Sequence, residues 1–135
     1  MSDIEKSLLI KMVNEGLVSV NKHPEDELYI YNYTSKVQYD RLWNDITLQS
    51  RGLILDSNMD IVSRPFKKFF NLEEHEDNEI PKLPFDVYEK MDGSLGVMYW
   101  VGEKPYISTR GSFVSEQSVV ANEILHSRYS HLFGK

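Results

Sequence analysis

Lys90 is the residue of this sequence best suited to form a covalent bond with a ligand. It stands two residues before an Asp-Gly pair, Asp92 and Gly93. The runs on either side, residues 84–89 and 95–101, have the composition of β-strands. A strand would fix the lysine amine, and an Asp-Gly turn would let the backbone bend around a nucleotide. A covalent nucleotidyltransferase needs this arrangement, although Lys-x-Asp-Gly arises by chance in roughly a few per cent of chains of this length.

Three further cationic residues are predicted at strand ends or turns near Lys90. Arg51 opens a predicted hairpin, and Lys68 follows soon after that hairpin ends. Arg110 ends a predicted strand that returns toward Lys90, and adjacent antiparallel strands lie about 5 Å apart. Arginine holds phosphate oxygens through two parallel bonds, whereas lysine supplies a compact point charge. Together these side chains are what an ATP pocket would use.

The distribution of charge favours a small anionic ligand over bulk nucleic-acid binding. The formal net charge of −6 argues against a protein that coats nucleic acid electrostatically. Residues 64–71 carry three cations and no acid, whereas residues 73–79 carry five acids and no cation. A compact cationic patch on an acidic body suits a nucleoside triphosphate. The alternative is that both runs are solvated faces of one loop region.

Composition sets the outer limits on fold and location. A length of 135 residues suits one domain with a hydrophobic core, and 41% hydrophobic with 27% charged residues is typical of a globular protein. The absence of cysteine excludes disulfides and thiolate metal sites. Because no run of residues has the pattern of a membrane span or a signal peptide, we expect a cytoplasmic protein.

The order of predicted elements indicates an α+β fold with a largely antiparallel sheet and flanking helices. The predicted elements are a helix from the Ser2/Glu5 capping box to Gly16, a strand at 28–34, a more helical run at 35–43, a hairpin at 52–62, the strands at 84–89 and 95–101, a strand at 106–109 and a helix at 115–129. The last helix is predicted to carry its apolar residues on one side, namely Val119, Val120, Ile124 and Leu125.

Four segments then give the sequence a specific resemblance. They are residues 50–56 (SRGLILD), 64–71 (RPFKKFFN), 89–95 (EKMDGSL) and 108–112 (STRGS), in that order. Together they resemble the N-terminal half of the adenylyltransferase domain of ATP-dependent RNA ligases, the tRNA-repairing kind found in T-even phages. The resemblance is strong over residues 45–115 and general over the flanks. It implies that residues 1–135 form one domain, the N-terminal portion of an incomplete ligase-type nucleotidyltransferase domain.

The resemblance also implies a role for the cationic residues. Lys90 would attack the α-phosphate of ATP and form a lysyl-AMP intermediate, and Mg²⁺ would arrive with ATP. Arg51 and Lys68 would hold the β- and γ-phosphates so that pyrophosphate leaves in line. Arg110 would act near the ribose and phosphate, at a position where relatives carry either lysine or arginine.

The remaining nucleotide-binding candidates are carried over in the same way. Phe70 and Glu89 would line the nucleoside side of the pocket, and Gly93 would allow close approach of the backbone. Asp92 belongs to the same motif, and its alternative role is to stabilise the turn. No metal site formed by the chain itself is expected, because the carboxylates around His75 belong to one contiguous loop, where such groups are usually solvated.

Two hypotheses about function follow. In the first, the chain is an RNA ligase that seals 5′-phosphate to 3′-hydroxyl RNA ends, such as those of a nicked tRNA. In the second, it is a non-catalytic module that binds nucleotides or RNA ends, because the family's later acidic and lysine motifs do not occur before Lys135. A sheet that lacks its later strands would also expose an edge and favour self-association.

Overall fold

Four antiparallel strands follow one another in chain order and form the main sheet of the structure, a computed structural model that describes residues 4–134. They are β1 (Val18–Lys22), β2 (Leu28–Tyr33), β3 (Arg51–Asp56) and β4 (Ile61–Ser63). A second sheet pairs β5 (Val97–Val101) with β6 (Lys104–Ser108). The helices are α1 (Lys6–Asn14), α2 (Ser35–Asp40), α3 (Asp45–Gln49) and α4 (Glu116–Arg128), with 3-10 turns at Leu72–Glu74, Asp77–Glu79 and Ser130–Leu132. Across residues 4–134, no helix combines the length and apolar character needed to span a membrane.

The main sheet separates two hydrophobic cores because side chains alternate between its faces. On β3, Leu53 and Leu55 face the core that α1 and α3 cover, whereas Ile54 faces the second sheet. The second core contains Tyr99, whose ring is stacked on that of Tyr106 at 5.8 Å. Burial raises the pKa of Tyr99 to about 12. The sheets and helices thus form layers on both faces of β2 and β3.

Most of the predicted elements are confirmed. The fold is α+β, with antiparallel sheets and flanking helices, which is consistent with a partial ligase-type nucleotidyltransferase domain. The first helix ends at Asn14, and Gly16 follows in the left-handed conformation (φ +75°). Ser2 of the predicted capping box lies outside the described residues. Besides the 3-10 turns, two short elements were not predicted: β1, and α3, which begins where the Asn44 side chain accepts from two backbone amides.

The prediction of a strand at residues 84–89 is wrong. The segment has no regular secondary structure, and Phe85, Val87 and Tyr88 are more than four-fifths exposed. Its composition favours a strand, but a strand is stable only when its backbone is paired in a ladder. In the part of the chain that the structure describes, no strand pairs with it. The strand after the Asp-Gly turn does form, and it begins at Val97.

The last predicted helix is confirmed as α4, but most of its apolar residues do not enter a hydrophobic core. Val119, Val120 and Ile124 are exposed, each by more than two-fifths. The helix instead contacts β6 through polar groups. Asn122 accepts from the backbone N–H of Ile107 at 2.7 Å and donates to its carbonyl oxygen at 2.9 Å. A side-chain amide therefore occupies the outer edge of β6, as a neighbouring strand would.

Candidate functional site

A cleft of about 480 Å³ opens where the two sheets and the start of α4 meet. The residues that line it come from five separate parts of the chain. They are Asn32 of β2, Arg51 of β3, Gly93, Ser94 and Leu95 before β5, Thr109, Arg110, Gly111 and Ser112 after β6, and Gln117 of α4. Of the predicted site residues, the fold thus brings Arg51, Gly93 and Arg110 to one place.

The ends of β2 and β3 position the first wall of the cleft. Asn32 and Arg51 are partners across these strands, just after a register shift in β2. Gly52 follows in the left-handed region, with φ +83°, and the backbone of Arg110 lies close to it. A Cβ at Gly52 would stand 3.4 Å from the Arg110 carbonyl oxygen and 3.1 Å from a methyl carbon of Val97. Only glycine therefore allows the second sheet to approach β3 this closely.

The loop after β6 holds Arg110 in the opposite wall. The loop is closed by a bond from the backbone N–H of Thr109 to the Ser112 carbonyl oxygen, at 3.0 Å. The hydroxyls of Thr109 and Ser115 are hydrogen-bonded at 2.7 Å, and Asn21 donates to the Gly111 carbonyl oxygen at 2.8 Å. These bonds tie the loop to β1 and to the N-terminus of α4. The backbone that carries Arg110 is therefore held from both sides.

The lining of the cleft is cationic, although the chain as a whole is acidic. Arg51 and Arg110 contribute two positive charges, and none of the lining residues is Asp or Glu. The guanidinium of Arg51 lies over the Phe69 ring at 5.2 Å. Arginine pairs surrounded by hydroxyl and amide groups are suited to hold an anion such as phosphate. The cleft is therefore suited to a polar anionic ligand small enough to fit its volume.

The segment that carries Lys90 reaches the cleft only at its C-terminal end. Gly93 lines the cleft and has φ +148°, which favours glycine. Glu89, Lys90 and Asp92 are exposed and are not among the residues that line the cleft. Lys90 is thus three residues from the cleft along the chain, on a segment without regular structure.

Lys68 and Phe70 line a different cavity, of about 500 Å³. The Lys68 ammonium lies 5.0 Å from the centre of the Phe70 ring. Unlike the cleft, this cavity is lined by side chains of both charge signs. The cations are Arg41 and Lys68, and the acids are Glu73, Glu74 and Glu79. A row of aromatic rings connects the two sites. The ring centre of Tyr33, which contacts Arg110 of the cleft, lies 4.8 Å from that of Trp43, and the ring centre of Trp43 lies 5.3 Å from that of Phe70.

Three residues of the site lie outside the four segments of the resemblance and were not predicted from the sequence. Asn32 and Gln117 line the cleft, and Tyr33 accepts a hydrogen bond from Arg110 at 2.9 Å. The signal for Asn32 was present, because it is the one amide in the otherwise aromatic and aliphatic run of β2. Its side-chain oxygen is buried and has no hydrogen-bond partner among residues 4–134. Gln117 had no such signal, because it lies in the first turn of a helix.

The acidic segment does not assemble a cage for a metal ion. Within residues 4–134, no three His, Asp or Glu side chains are grouped closely enough to hold one. His75 contacts a carboxylate oxygen of Glu79 at 3.3 Å, which is a pair rather than a ligand set.

Comparison with known proteins places the chain in a family. Residues 49–132, more than half of the chain, match a family model described as RNA ligase. An Autographa californica nuclear polyhedrosis virus protein, named for both polynucleotide kinase and RNA ligase activity, is 34% identical over 116 residues, which cover 78% of this chain and 16% of that protein. An RNA ligase of Rhodothermus phage RM378 is 31% identical over 133 residues, covering 80% of this chain and 29% of the relative. A Thermovibrio ammonificans protein named for RNA ligase activity is 28% identical over 130 residues, covering 93% and 31%.

Proposed function

Because the chain belongs to the RNA ligase family of the T-even-phage type, we propose that residues 1–135 form the N-terminal portion of an ATP-dependent ligase's adenylyltransferase domain. The chain spans less than a third of the length of each relative described above. The activity, substrates and partners of the complete protein are therefore part of the proposal. The family-matched region, residues 49–132, includes every predicted site residue.

The observation that carries the proposal is the convergence of Arg51, Arg110 and Gly93 on one cleft without acidic side chains. These residues come from three of the four sequence segments on which the resemblance rests. A cleft of about 480 Å³ lies within the roughly 300–1,000 Å³ typical of small-molecule sites. Its two guanidinium groups offer bidentate bonds to phosphate oxygens. ATP is the ligand that this combination of charge and volume favours.

The proposed reaction is an in-line displacement at the α-phosphorus of ATP. The Lys90 amine, in its neutral form, donates its lone pair to the α-phosphorus while the bond to the bridging oxygen of the β-phosphate breaks. Pyrophosphate leaves with those electrons, and the nitrogen loses a proton to solvent, which gives lysyl-AMP. Arg51 and Lys68 would stabilise the charge that develops on the leaving pyrophosphate. Arg110 would bind the ribose and phosphate, and Glu89, Asp92 and Phe70 would serve the nucleoside side.

Mg²⁺ enters this proposal as part of the substrate MgATP. The described residues offer no cage of carboxylates, and Mg²⁺ is commonly held by substrate phosphates together with one or two protein carboxylates. The ion would neutralise charge on the leaving group. Within the chain, the arginines of the cleft would complement the ion by binding phosphate oxygens.

The later steps would use the lysyl-AMP to join RNA ends. AMP would pass to an RNA 5′-phosphate, and a 3′-hydroxyl would then displace AMP and close the strand. The substrates proposed are RNA ends, including those of a nicked tRNA, and the compartment proposed is the cytoplasm, or the host cytoplasm for a phage protein. Self-association through an unpaired sheet edge also stays a prediction, although Asn122 occupies the outer edge of β6.

A second function is favoured by the exposure of Lys90. Glu89, Lys90 and Asp92 lie on an exposed segment outside the lining of the cleft. In this alternative, the chain binds nucleotides or RNA ends through the cleft without forming a covalent bond. Ligand binding would then depend on Arg51 and Arg110 but not on Lys90.

Incubation with MgATP labelled at the α-phosphate separates the two functions. We expect label that remains on the protein after denaturation, and its loss in Lys90→Ala. The matched control is Lys82→Ala, because Lys82 is an exposed lysine of the same segment that lies outside the motif. Absence of label on the wild-type protein, while MgATP still binds by calorimetry, would support the non-catalytic function. Label that survives Lys90→Ala would contradict the assignment of the nucleophile.

A further inference from the structure

Tyr33 lies beneath Arg110 and touches it in two ways. The phenol oxygen accepts a hydrogen bond from an Nη1 hydrogen of Arg110 at 2.9 Å. The guanidinium carbon also lies 5.1 Å from the centre of the Tyr33 ring, within the range of a cation–π interaction. The two residues are 77 positions apart in the sequence, so the contact exists only in the folded chain.

The Tyr33 ring is itself fixed by packing. Tyr33 is only 5% exposed, and Trp43 meets its ring edge-to-face at 4.8 Å. Trp43 in turn contacts Phe70, whose ring carries the Lys68 ammonium at 5.0 Å. The backbone N–H of Tyr33 donates to the Ser50 carbonyl oxygen at 2.7 Å, next to Arg51. The platform under Arg110 is therefore rigid and is connected to both other proposed phosphate-binding cations.

One hydrogen bond to Tyr33 leaves most of the guanidinium available to a ligand. Arginine has five N–H donors in a planar fork, and the Tyr33 hydroxyl uses one. The ring beneath and the hydroxyl beside the fork restrict its orientation. An arginine that is already ordered loses less conformational freedom when it binds phosphate. Tyr33 can thus raise the affinity for ATP without touching it.

We infer that Tyr33 is a positioning residue that holds the Arg110 guanidinium ready for a nucleotide phosphate. The inference rests on the proposed function, in which Arg110 binds ATP. Removing the hydroxyl in Tyr33→Phe keeps the ring, its contact with Trp43 and the cation–π platform, and removes only the acceptor. We expect the Kd for MgATP to rise roughly 2- to 10-fold, which is the cost of ordering one long side chain on binding.

Two measurements on the whole chain test this role. The first is the NMR order parameter of the Arg110 Nε–H bond without ligand, assigned from the signal that Arg110→Lys removes. We expect a value above about 0.6 in the wild type and below about 0.6 in Tyr33→Phe. The second is a double-mutant cycle on the Kd for MgATP with Tyr33→Phe and Arg110→Ala. Arg110→Ala should weaken binding about 10- to 100-fold, and Tyr33→Phe should have no further effect in that background.

Tyr29→Phe is the matched control, because its hydroxyl lies on the same strand but donates to exposed Glu27 at 3.2 Å. It should leave both the order parameter and the Kd unchanged. Equal Arg110 order parameters in wild type and Tyr33→Phe would overturn the inference. So would a rise in the Kd for MgATP on Tyr33→Phe that is as large in the Arg110→Ala background as in the wild type. If Arg110→Ala weakens binding but Tyr33→Phe does not, only the positioning role fails. If Arg110→Ala leaves MgATP binding unchanged, the proposed ATP site fails and the role of Tyr33 fails with it.

Discussion

Gly52→Ala tests whether close contact between β3 and the Arg110 loop shapes the cleft. Gly52 has φ +83°, and a left-handed backbone costs a residue with a Cβ about 1–2 kcal/mol. The new Cβ would also stand 3.1 Å from a Val97 methyl carbon and 3.4 Å from the Arg110 carbonyl oxygen. Because a backbone atom cannot turn away as a flexible side chain can, overpacking adds about 1–3 kcal/mol. We expect a loss of about 2–5 kcal/mol in the free energy of unfolding, a large part of the about 5–15 kcal/mol typical of a native protein.

Gly16→Ala is the control that separates the effect of the close contact at Gly52 from the effect of backbone strain. Gly16 has a similar φ of +75°, but a Cβ there would meet no atom within 4 Å. Gly16→Ala should therefore cost only the backbone strain, about 1–2 kcal/mol. Urea unfolding followed by tryptophan fluorescence measures both losses, since the chain has Trp43 and Trp100 as probes. Calorimetry measures the affinity of the cleft for MgATP, and we expect weaker binding in Gly52→Ala but not in Gly16→Ala.

Equal losses of stability in the two glycine variants would refute the reasoning, because the contact at Gly52 would then contribute nothing. Unchanged MgATP affinity in a folded Gly52→Ala protein would refute the second part. In that case, the contact would join the sheets without shaping the cleft. A Gly52→Ala chain that does not fold, beside a folded Gly16→Ala chain, would agree with the larger loss expected for Gly52.

Two further predictions concern titration and the sheet edge. Burial raises the pKa of Tyr99 from 10 to about 12 and also raises that of Tyr31. The contribution of Tyr99 to stability is therefore complete below pH 10 and is lost as the pH rises toward about 12. Absorbance of phenolate should show these two tyrosines ionising last. In Tyr99→Phe, the free energy of unfolding should fall less between pH 10 and about pH 12 than in the wild type. Simultaneous ionisation of all tyrosines would contradict this prediction. Asn122→Ala leaves the backbone N–H and carbonyl oxygen of Ile107 without their partner. It should cost about 1–3 kcal/mol and increase self-association in sedimentation, whereas a monomer of unchanged stability would contradict the edge-covering role.

The sequence predicted the fold class because local signals and global structure agree over most of the chain. The helix before Gly16, the hairpin from β3 to β4, and α4 all lie where periodicity and turn residues indicate. Each depends on contacts between residues close in sequence. Such contacts leave a pattern in a short window, and that pattern is what periodicity measures.

The wrong strand prediction and the exposed apolar residues of α4 share a physical cause. Residues 84–89 have strand composition but no partner strand among the described residues, and pairing is decided by segments distant in sequence. Val119, Val120 and Ile124 of α4 are exposed, and its polar residues Asn122 and His126 contact β6 instead. Amphipathic pattern indicates which side of a helix is apolar. It does not determine whether another part of the chain covers that side.

Motif order and spacing are properties of the chain, so they were sufficient to indicate the family and to predict the cationic residues of the candidate site. Which of those residues meet depends on the tertiary fold. It joined Arg51, Gly93 and Arg110 in one cleft and placed Lys68 and Phe70 in a neighbouring cavity. It also set Tyr33 beneath Arg110. The physical reason is that these contacts depend on the stacking of the two sheets and on the close approach of backbones, which residues far apart in sequence create together.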